Sequence, residues 1–250
     1  MDEVAPGVYV ATAEIYTTTT TVVTGADGGC LVIDPAVTPA DLDRLAGWLS
    51  SRGLRPAAGW STHPHWDHVL WRSPLGDVVR YATPRAVGTA ARELPGLVSG
   101  VTDAAPGHDL SLFARLAPLA GSEIPWAGPR AIVVAHDAHA PGHGAVFLPD
   151  SGVLVAGDMC SDIEIPLVDG ESADPFGDYR HGLGALASLP GVRVVVPGHG
   201  HVGDSRDFRE RVAADFGYLD MVEAGREPED PRLAEAWLRE EHARQRALVI

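Results

Sequence analysis

His63-Pro64-His65-Trp66-Asp67-His68 is the most informative stretch of this chain, because it places three imidazoles and one carboxylate within six residues. It follows a short apolar run at 57–60 that predicts a strand. Imidazole nitrogen and carboxylate oxygen are ligands that Zn²⁺, Fe²⁺ and Mn²⁺ accept, and a loop leaving a strand can direct them at one centre. For the hexapeptide alone, a histidine-rich surface turn is the simpler alternative.

Three further polar residues stand beside other predicted strands. His143 lies in Ala-Pro-Gly-His-Gly, Asp158 in Ala-Gly-Asp and His199 in Pro-Gly-His-Gly. Each follows or borders a β-rich apolar run, and these runs cover 131–135, 153–156 and 192–196. Glycine lets the backbone turn tightly at these points, so each strand end presents one candidate ligand. The pattern predicts a site mounted on loops over a rigid sheet.

A fifth motif is Asp34, which closes an early strand. The chain resembles the metallo-β-lactamase superfamily of metal-dependent hydrolases, because the five motifs follow one another in that family's order: Asp34, the hexapeptide, His143, Asp158 and His199. The resemblance runs from about Val8 to about Val202. It implies an α/β fold, a four-layer αβ/βα sandwich of two mixed β-sheets flanked by helices. A set of five ordered motifs is far more specific than any single motif.

The resemblance also implies a ligand set for two Zn²⁺ ions per chain, with iron or manganese as alternatives. His63, His65 and His143 would hold one ion, Asp67, His68 and His199 would hold the second, and Asp158 would bridge them. Water shared by two such ions should ionise near neutral pH. Asp67 is the candidate catalytic residue, which would orient that water or take its proton. Asp34 would hydrogen-bond a ligand imidazole, or else cap its strand.

Other residues near these motifs have two readings each. His139 is a candidate wall residue, and His201 is either a solvated loop histidine or a proton donor. Cys160 is expected to be a buried free thiol, although it lies two residues beyond Asp158. Trp66 and Trp71 either line the cleft or belong to the core.

Composition limits the possible functions. With 250 residues, of which 45% are hydrophobic, the chain is long enough for one large domain over 1–250. The formal charge of −15 argues against nucleic acid as a partner, since phosphate binding needs clustered cations. The sequence contains no lysine, which removes lysine nucleophiles. No apolar run is long enough for a membrane span and no export signal is recognisable, so we expect a cytoplasmic protein without a membrane partner.

The chain reads as alternating strands and helices. An antiparallel meander is predicted over 8–33, and Thr38-Pro39-Ala40-Asp41 has the residues of a helix start. A second helix should run from Pro84 to about Leu94. Residues 95–129 are either a lid over the cleft or a structural excursion, and the helices at about 205–246 should serve packing or homodimer contact.

The predicted function is therefore hydrolysis of a small acyl substrate, such as an ester, thioester or lactone. A bridging Asp158 disfavours a true β-lactamase, and Ser161 stands where acyl-homoserine lactonases of the family have tyrosine. Two alternatives remain open. One is a mononuclear iron enzyme of the persulfide-dioxygenase type, and the other is a biosynthetic relative that binds or cyclises a product at the metal site.

Overall fold

The computed structural model describes residues 1–249, in which two β-sheets face each other and helices cover the outer face of each. All strands of the first sheet precede all strands of the second along the chain. The strands are β1 (Asp2–Ala5), β2 (Val8–Thr12), β3 (Thr19–Thr24), β4 (Gly29–Ile33), β5 (Arg55–Trp60), β6 (Arg80–Ala82), β7 (Ala117–Pro118), β8 (Ile132–Ala135), β9 (Gly144–Leu148), β10 (Val153–Gly157), β11 (Val194–Pro197) and β12 (Gly203–Asp204).

Both sheets are mixed. The seven-stranded sheet has the order β1-β2-β3-β4-β5-β6-β7, antiparallel from β1 to β4 as the predicted meander requires and parallel from β4 to β7. The five-stranded sheet has the order β12-β11-β10-β9-β8, in which only β10 and β11 are parallel. The predicted pair of mixed sheets is confirmed.

Five α-helices complete the layers: α1 (Pro39–Ser51), α2 (Pro84–Ala104), α3 (Pro175–Ala187), α4 (Ser205–Glu223) and α5 (Ala236–Arg246). Short 3-10 turns lie at Ile15–Thr17, Ser73–Leu75 and Pro231–Ala234. At the start of α1, the Thr38 hydroxyl accepts a hydrogen bond from the Asp41 backbone N–H, and the Asp41 carboxylate accepts one from that of Thr38. This is the predicted capping box.

The core has three layers of contact, which explains why the central strands are continuously apolar. Along β4, Leu31 and Ile33 face the second sheet, whereas Cys30 and Val32 pack with the buried stripe of α1. On the far side of the second sheet, Leu154 packs with side chains of α3, α4 and α5. The order helix, sheet, sheet, helix is the predicted four-layer sandwich.

Helix α2 differs from the prediction, because it continues through Pro95 to Ala104 instead of ending near Leu94. Proline removes one helical hydrogen bond and leaves the Ala91 carbonyl without its partner. Residues 91–96 are exposed, so water can reach that carbonyl. Beyond Pro95 the helix packs on the core through the buried side chains of Leu97 and Val101. The first part of the segment 95–129 is therefore helix, and its role as a lid stays a prediction. Among residues 1–249, no helix combines the length and apolarity needed to cross a bilayer.

Candidate metal centre

Loops from both sheets meet at one edge of the sandwich. The hexapeptide follows β5 in the first sheet, and Asp158 and His199 follow the parallel strands β10 and β11 in the second. The Gly144 backbone N–H donates to the Thr62 carbonyl at 2.7 Å and ties the sheets together beside the site. Gly198 permits the closest approach, because a Cβ there would lie 1.9 Å from Oδ1 of Asp158.

Seven side chains form two adjoining groups that could hold metal ions. In each group the donor atoms all lie within 4.8 Å of one another. The first group comprises His63, His65, His139 and Asp158, and the second comprises Asp67, His68 and His199. The structure thus brings together six of the seven predicted residues, with His139 in place of His143.

The Asp158 carboxylate lies between the two groups. Its Oδ2 atom is 3.4 Å from Nε2 of His63 and 3.3 Å from Nε2 of His139, both in the first group. It is also 3.2 Å from Nε2 of His199, and Oδ1 is 3.2 Å from Nε2 of His68, both in the second group. Oδ1 is buried without a hydrogen bond of good geometry. This position is the one that a bridging carboxylate needs.

Hydrogen bonds behind the rings indicate which nitrogen of each imidazole faces the centre. Four Nδ1 atoms have oxygen partners: Asp34 for His68 at 2.9 Å, the Tyr16 carbonyl for His199 at 3.0 Å, the Leu167 carbonyl for His139 at 3.0 Å and the Thr62 hydroxyl for His63 at 3.0 Å. An N–H on Nδ1 leaves the Nε2 lone pair free for a metal. His65 is the exception, since its Nδ1 lies 3.0 Å from Nε2 of His63.

Asp34 fixes more than one of these rings. Its Oδ1 accepts from the Thr62 backbone N–H at 2.8 Å, and Oδ2 accepts from the Thr62 hydroxyl at 2.6 Å as well as facing His68. The Thr62 hydroxyl in turn accepts from His63. Asp34 is therefore the hydrogen-bonding support that the resemblance implied, rather than a simple strand-end cap.

The structure places His143 outside both donor groups. Its ring lies nearly parallel to that of His63, with centroids 5.1 Å apart and an interplanar angle of 16°, so it packs on the face of a ligand candidate. His136 also stacks with His143, with ring centroids 4.6 Å apart and an interplanar angle of 15°. Neither nitrogen of His143 has a hydrogen-bond partner. His139 belongs to the first group, where its backbone is left-handed (φ 67°) and its Nε2 lies 3.3 Å from Oδ2 of Asp158.

Two imidazoles of the first group, those of His63 and His65, are held neutral. Burial, with a contribution from His68, lowers the pKa of His63 well below its ordinary value. Burial and the neighbouring His139 lower the pKa of His65 to about 3. A neutral imidazole offers a lone pair, so this environment fits a metal ligand.

The second group is a network of opposite charges. Burial opposes charge on His68 and His199, but the carboxylates of Asp158 and Asp67 outweigh it and raise both imidazole pKa values well above the ordinary range. Burial likewise opposes charge on Asp158, yet the adjoining histidines hold its carboxyl pKa well below the usual value. A cation entering this group would displace protons from the imidazoles, so its affinity should rise with pH.

Glu164 is a residue that the sequence analysis missed. Burial, only partly offset by His199, raises its carboxyl pKa to about 7. The Ser161 hydroxyl fixes its loop by donating to the His199 carbonyl at 2.7 Å and accepting from the Glu164 backbone N–H at 3.0 Å. Arg232 donates to the Glu164 carbonyl at 2.8 Å. No motif marks Glu164, since its neighbours come from distant parts of the chain.

The structure also places the tryptophans, His201 and Cys160, for which the sequence left two interpretations open. Trp66 is partly buried and meets the exposed ring of Tyr16 edge to face at 6.2 Å, whereas Trp71 is core. His201 is exposed and lies 2.8 Å from Asp162, as a solvated loop histidine would. Cys160 is buried and free as expected, and burial raises its thiol pKa well above the ordinary value.

A cavity of about 560 Å³ opens beside the first group, where His65 and His139 line it together with α2 and residues 169–171. This volume is within the usual range for small-molecule sites. A larger cavity of about 880 Å³ lies between α4 and residues 227–232, and no residue of either donor group lines it. The smaller cavity is the candidate substrate site, because candidate metal ligands form part of its wall.

Known proteins share this architecture. The family model described as the metallo-beta-lactamase superfamily matches residues 15–199. A hydroxyacylglutathione hydrolase from Synechococcus sp. (strain JA-3-3Ab) is 34% identical over 127 residues, which are 51% of this chain and 42% of that relative. This chain therefore aligns with less than half of that enzyme's length.

Solved structures agree on the fold. A beta-lactamase domain protein from Burkholderia ambifaria superposes with a TM-score of 0.67 at 20% identity, covering 90% of this chain and 75% of that one. The protein TTHA1623, solved in a di-iron-bound form, has a TM-score of 0.61 at 27% identity, covering 78% of this chain and 94% of that one.

Proposed function

Because the chain belongs to the metallo-beta-lactamase superfamily, we propose that it is a dinuclear metal-dependent hydrolase of small acyl substrates. The observation that carries the proposal is the Asp158 carboxylate, which lies within 3.4 Å of imidazole nitrogens from both donor groups. Five imidazoles and two carboxylates form a donor set that suits two divalent cations.

We propose Zn²⁺ as the metal, with iron as the alternative that the di-iron form of TTHA1623 supports. When bound, such a pair supplies an activated water and a positive charge for the oxyanion of the reacting carbonyl. Asp67 would orient the attacking water or accept its proton, and its Oδ2 lies 3.3 Å from Nε2 of His199. The hydrogen bonds of Asp34, Thr62 and Leu167 hold the rings in place, so little reorganisation is needed.

The substrate is proposed to be an ester, thioester or lactone. The hydroxyacylglutathione hydrolase relative supports an acyl substrate, but the match covers only part of that enzyme. A cytoplasmic location, a homodimer through the C-terminal helices and the absence of nucleic-acid partners remain predictions from sequence.

The test begins with elemental analysis of protein purified without added metal, followed by a panel of chromogenic thioesters, esters, lactones and a cephalosporin. We expect about two metal ions per chain and metal-dependent turnover of an acyl substrate. Asp158→Asn should lose metal and turnover, whereas the exposed control Asp77→Asn should retain both. One iron per chain with oxygen uptake on a persulfide would replace the hydrolase by a dioxygenase. Full metal occupancy without turnover of any ester would favour the biosynthetic alternative.

A further inference from the structure

The cavity beside His65 and His139 does not end at the metal centre. A second cavity, of about 420 Å³, adjoins it along α2, and the two share lining residues from α2, Pro141 and the segment 169–171. Together they form one groove with the candidate metal centre at one end. We call this the α2 groove.

One face of α2 forms the long wall of the α2 groove. Pro84, Gly88, Arg92 and Gly96 recur at every fourth position and all line it. From Pro84 to Leu97 the helix rises about 20 Å, at 1.5 Å per residue. A Cβ added at Gly88 or Gly96 would meet nothing within 4 Å, so the space over this face is open. The groove is long enough for an extended substrate arm.

The arginines along the groove have acidic partners, whereas two of its carboxylates have no cationic partner among residues 1–249. Arg85 forms an ion pair with Asp137 at 2.6 Å, and Arg92 forms one with Glu93 at 3.0 Å. On the opposite wall, the side chains of Asp169 and Glu171 have no cationic partner among residues 1–249. Asp169 only accepts from the Glu171 backbone N–H, at 3.0 Å. After internal pairing, the wall facing α2 keeps negative charge, in a chain of net charge −15.

We propose that the substrate is an elongated acyl compound whose arm lies in the α2 groove and carries a cationic group, such as an ammonium, against Asp169 and Glu171. The inference rests on the proposed hydrolase function and adds the class of substrate. A carboxylate-bearing arm would meet like charge in the same place and should bind more weakly.

The experiment uses thioesters with one acyl group and leaving arms of equal length that end in an ammonium, a neutral amide or a carboxylate. At low salt we expect kcat/KM to be about 10-fold higher for the ammonium than for the carboxylate, and salt should reduce the difference. The double variant Asp169→Asn/Glu171→Gln should reduce it to less than about 2-fold through KM, with kcat unchanged. The matched control Asp77→Asn/Glu240→Gln removes the same charge elsewhere and should leave the difference intact.

Two further measurements distinguish binding of the arm in the α2 groove from hydrolysis at the metal centre. Gly88→Trp should fill the groove and raise KM for the long thioesters but not for a short aryl acetate. Calorimetry with non-hydrolysable amide analogues of the three arms should show the same order of affinity without turnover. Equal handling of ammonium and carboxylate arms, or a preference that survives the double variant, would overturn the proposal. Failure of every ester to turn over refutes the hydrolase alone, and calorimetry then decides whether the groove prefers a cation.

Discussion

Oδ2 of Asp34 lies 2.9 Å from Nδ1 of His68, and both side chains are buried. The contact joins the end of β4 to the hexapeptide and leaves Nε2 of His68 facing the carboxylates of Asp67 and Asp158. Orientation of a ligand imidazole by a carboxylate is worth about 10–100-fold in metal affinity.

Asp34→Asn should therefore weaken metal binding by about that factor. The amide keeps the size of the carboxylate, and asparagine tolerates the left-handed backbone that Asp34 adopts (φ 47°), so the fold should persist. Competition against a chromogenic chelator measures the affinity, and circular dichroism checks the fold. An unchanged affinity in a folded variant would show that the contact does not orient His68.

His139 and His143 make a matched pair for testing which of the two histidines is a metal ligand. His139→Ala removes a ring whose Nε2 is 3.3 Å from Asp158, and we expect at least about 100-fold weaker metal binding. His143→Leu replaces a buried ring without hydrogen-bond partners by an apolar side chain, and it should keep its metal. Metal content after dialysis distinguishes them, and the reverse result would restore the assignment of His143.

The sequence predicts the site residues that local sequence patterns mark, and it misses those that are placed by contacts between distant parts of the chain. The hexapeptide is identifiable from its own three imidazoles and one carboxylate, and Asp158 and His199 are identifiable because each follows a glycine at the end of an apolar strand. The choice between His139 and His143 depends on the left-handed turn at His139 and the stacking of His143 on His63, which no local pattern encodes. Glu164 was missed for the same reason. Helix α2 extends beyond its predicted end near Leu94, because the helix surface around Pro95 is exposed to water.

His136 should make the stability of the protein depend on pH. Burial lowers its imidazole pKa from 6.5 to about 4. The folded state therefore favours the neutral ring, and the stability that this contributes is present above pH 6.5 and lost as the pH falls toward 4. His136→Leu should remove this loss and gain about 2 kcal/mol relative to the wild type between pH 7 and pH 5. Urea unfolding at the two pH values measures it, and a parallel decline in both proteins would contradict the assignment.

Arg232 and Asp215 form a buried ion pair at 2.6 Å that anchors the loop of Glu164. Arg232→Leu should lower the free energy of unfolding by about 3–5 kcal/mol, because it leaves the Asp215 carboxylate buried without a partner. The double variant Arg232→Leu/Asp215→Leu should recover part of this loss, since the Asp215 charge is then removed, while Asp230, which lies 2.7 Å from Arg232 in the wild type, still lacks its cation. Denaturant unfolding of the four proteins completes the cycle. Additive losses would mean that the two side chains do not interact.

Each sheet is built from one continuous half of the chain, and the donor atoms are divided between the halves. The earlier half carries His63, His65, Asp67 and His68, and the later half carries His139, Asp158 and His199. A cut in the connection between β7 and β8 would leave two fragments, neither with a full complement of either donor group. Metal binding by the mixed fragments would then show that the two halves have reassembled, so metal content could be used to measure the association of the halves.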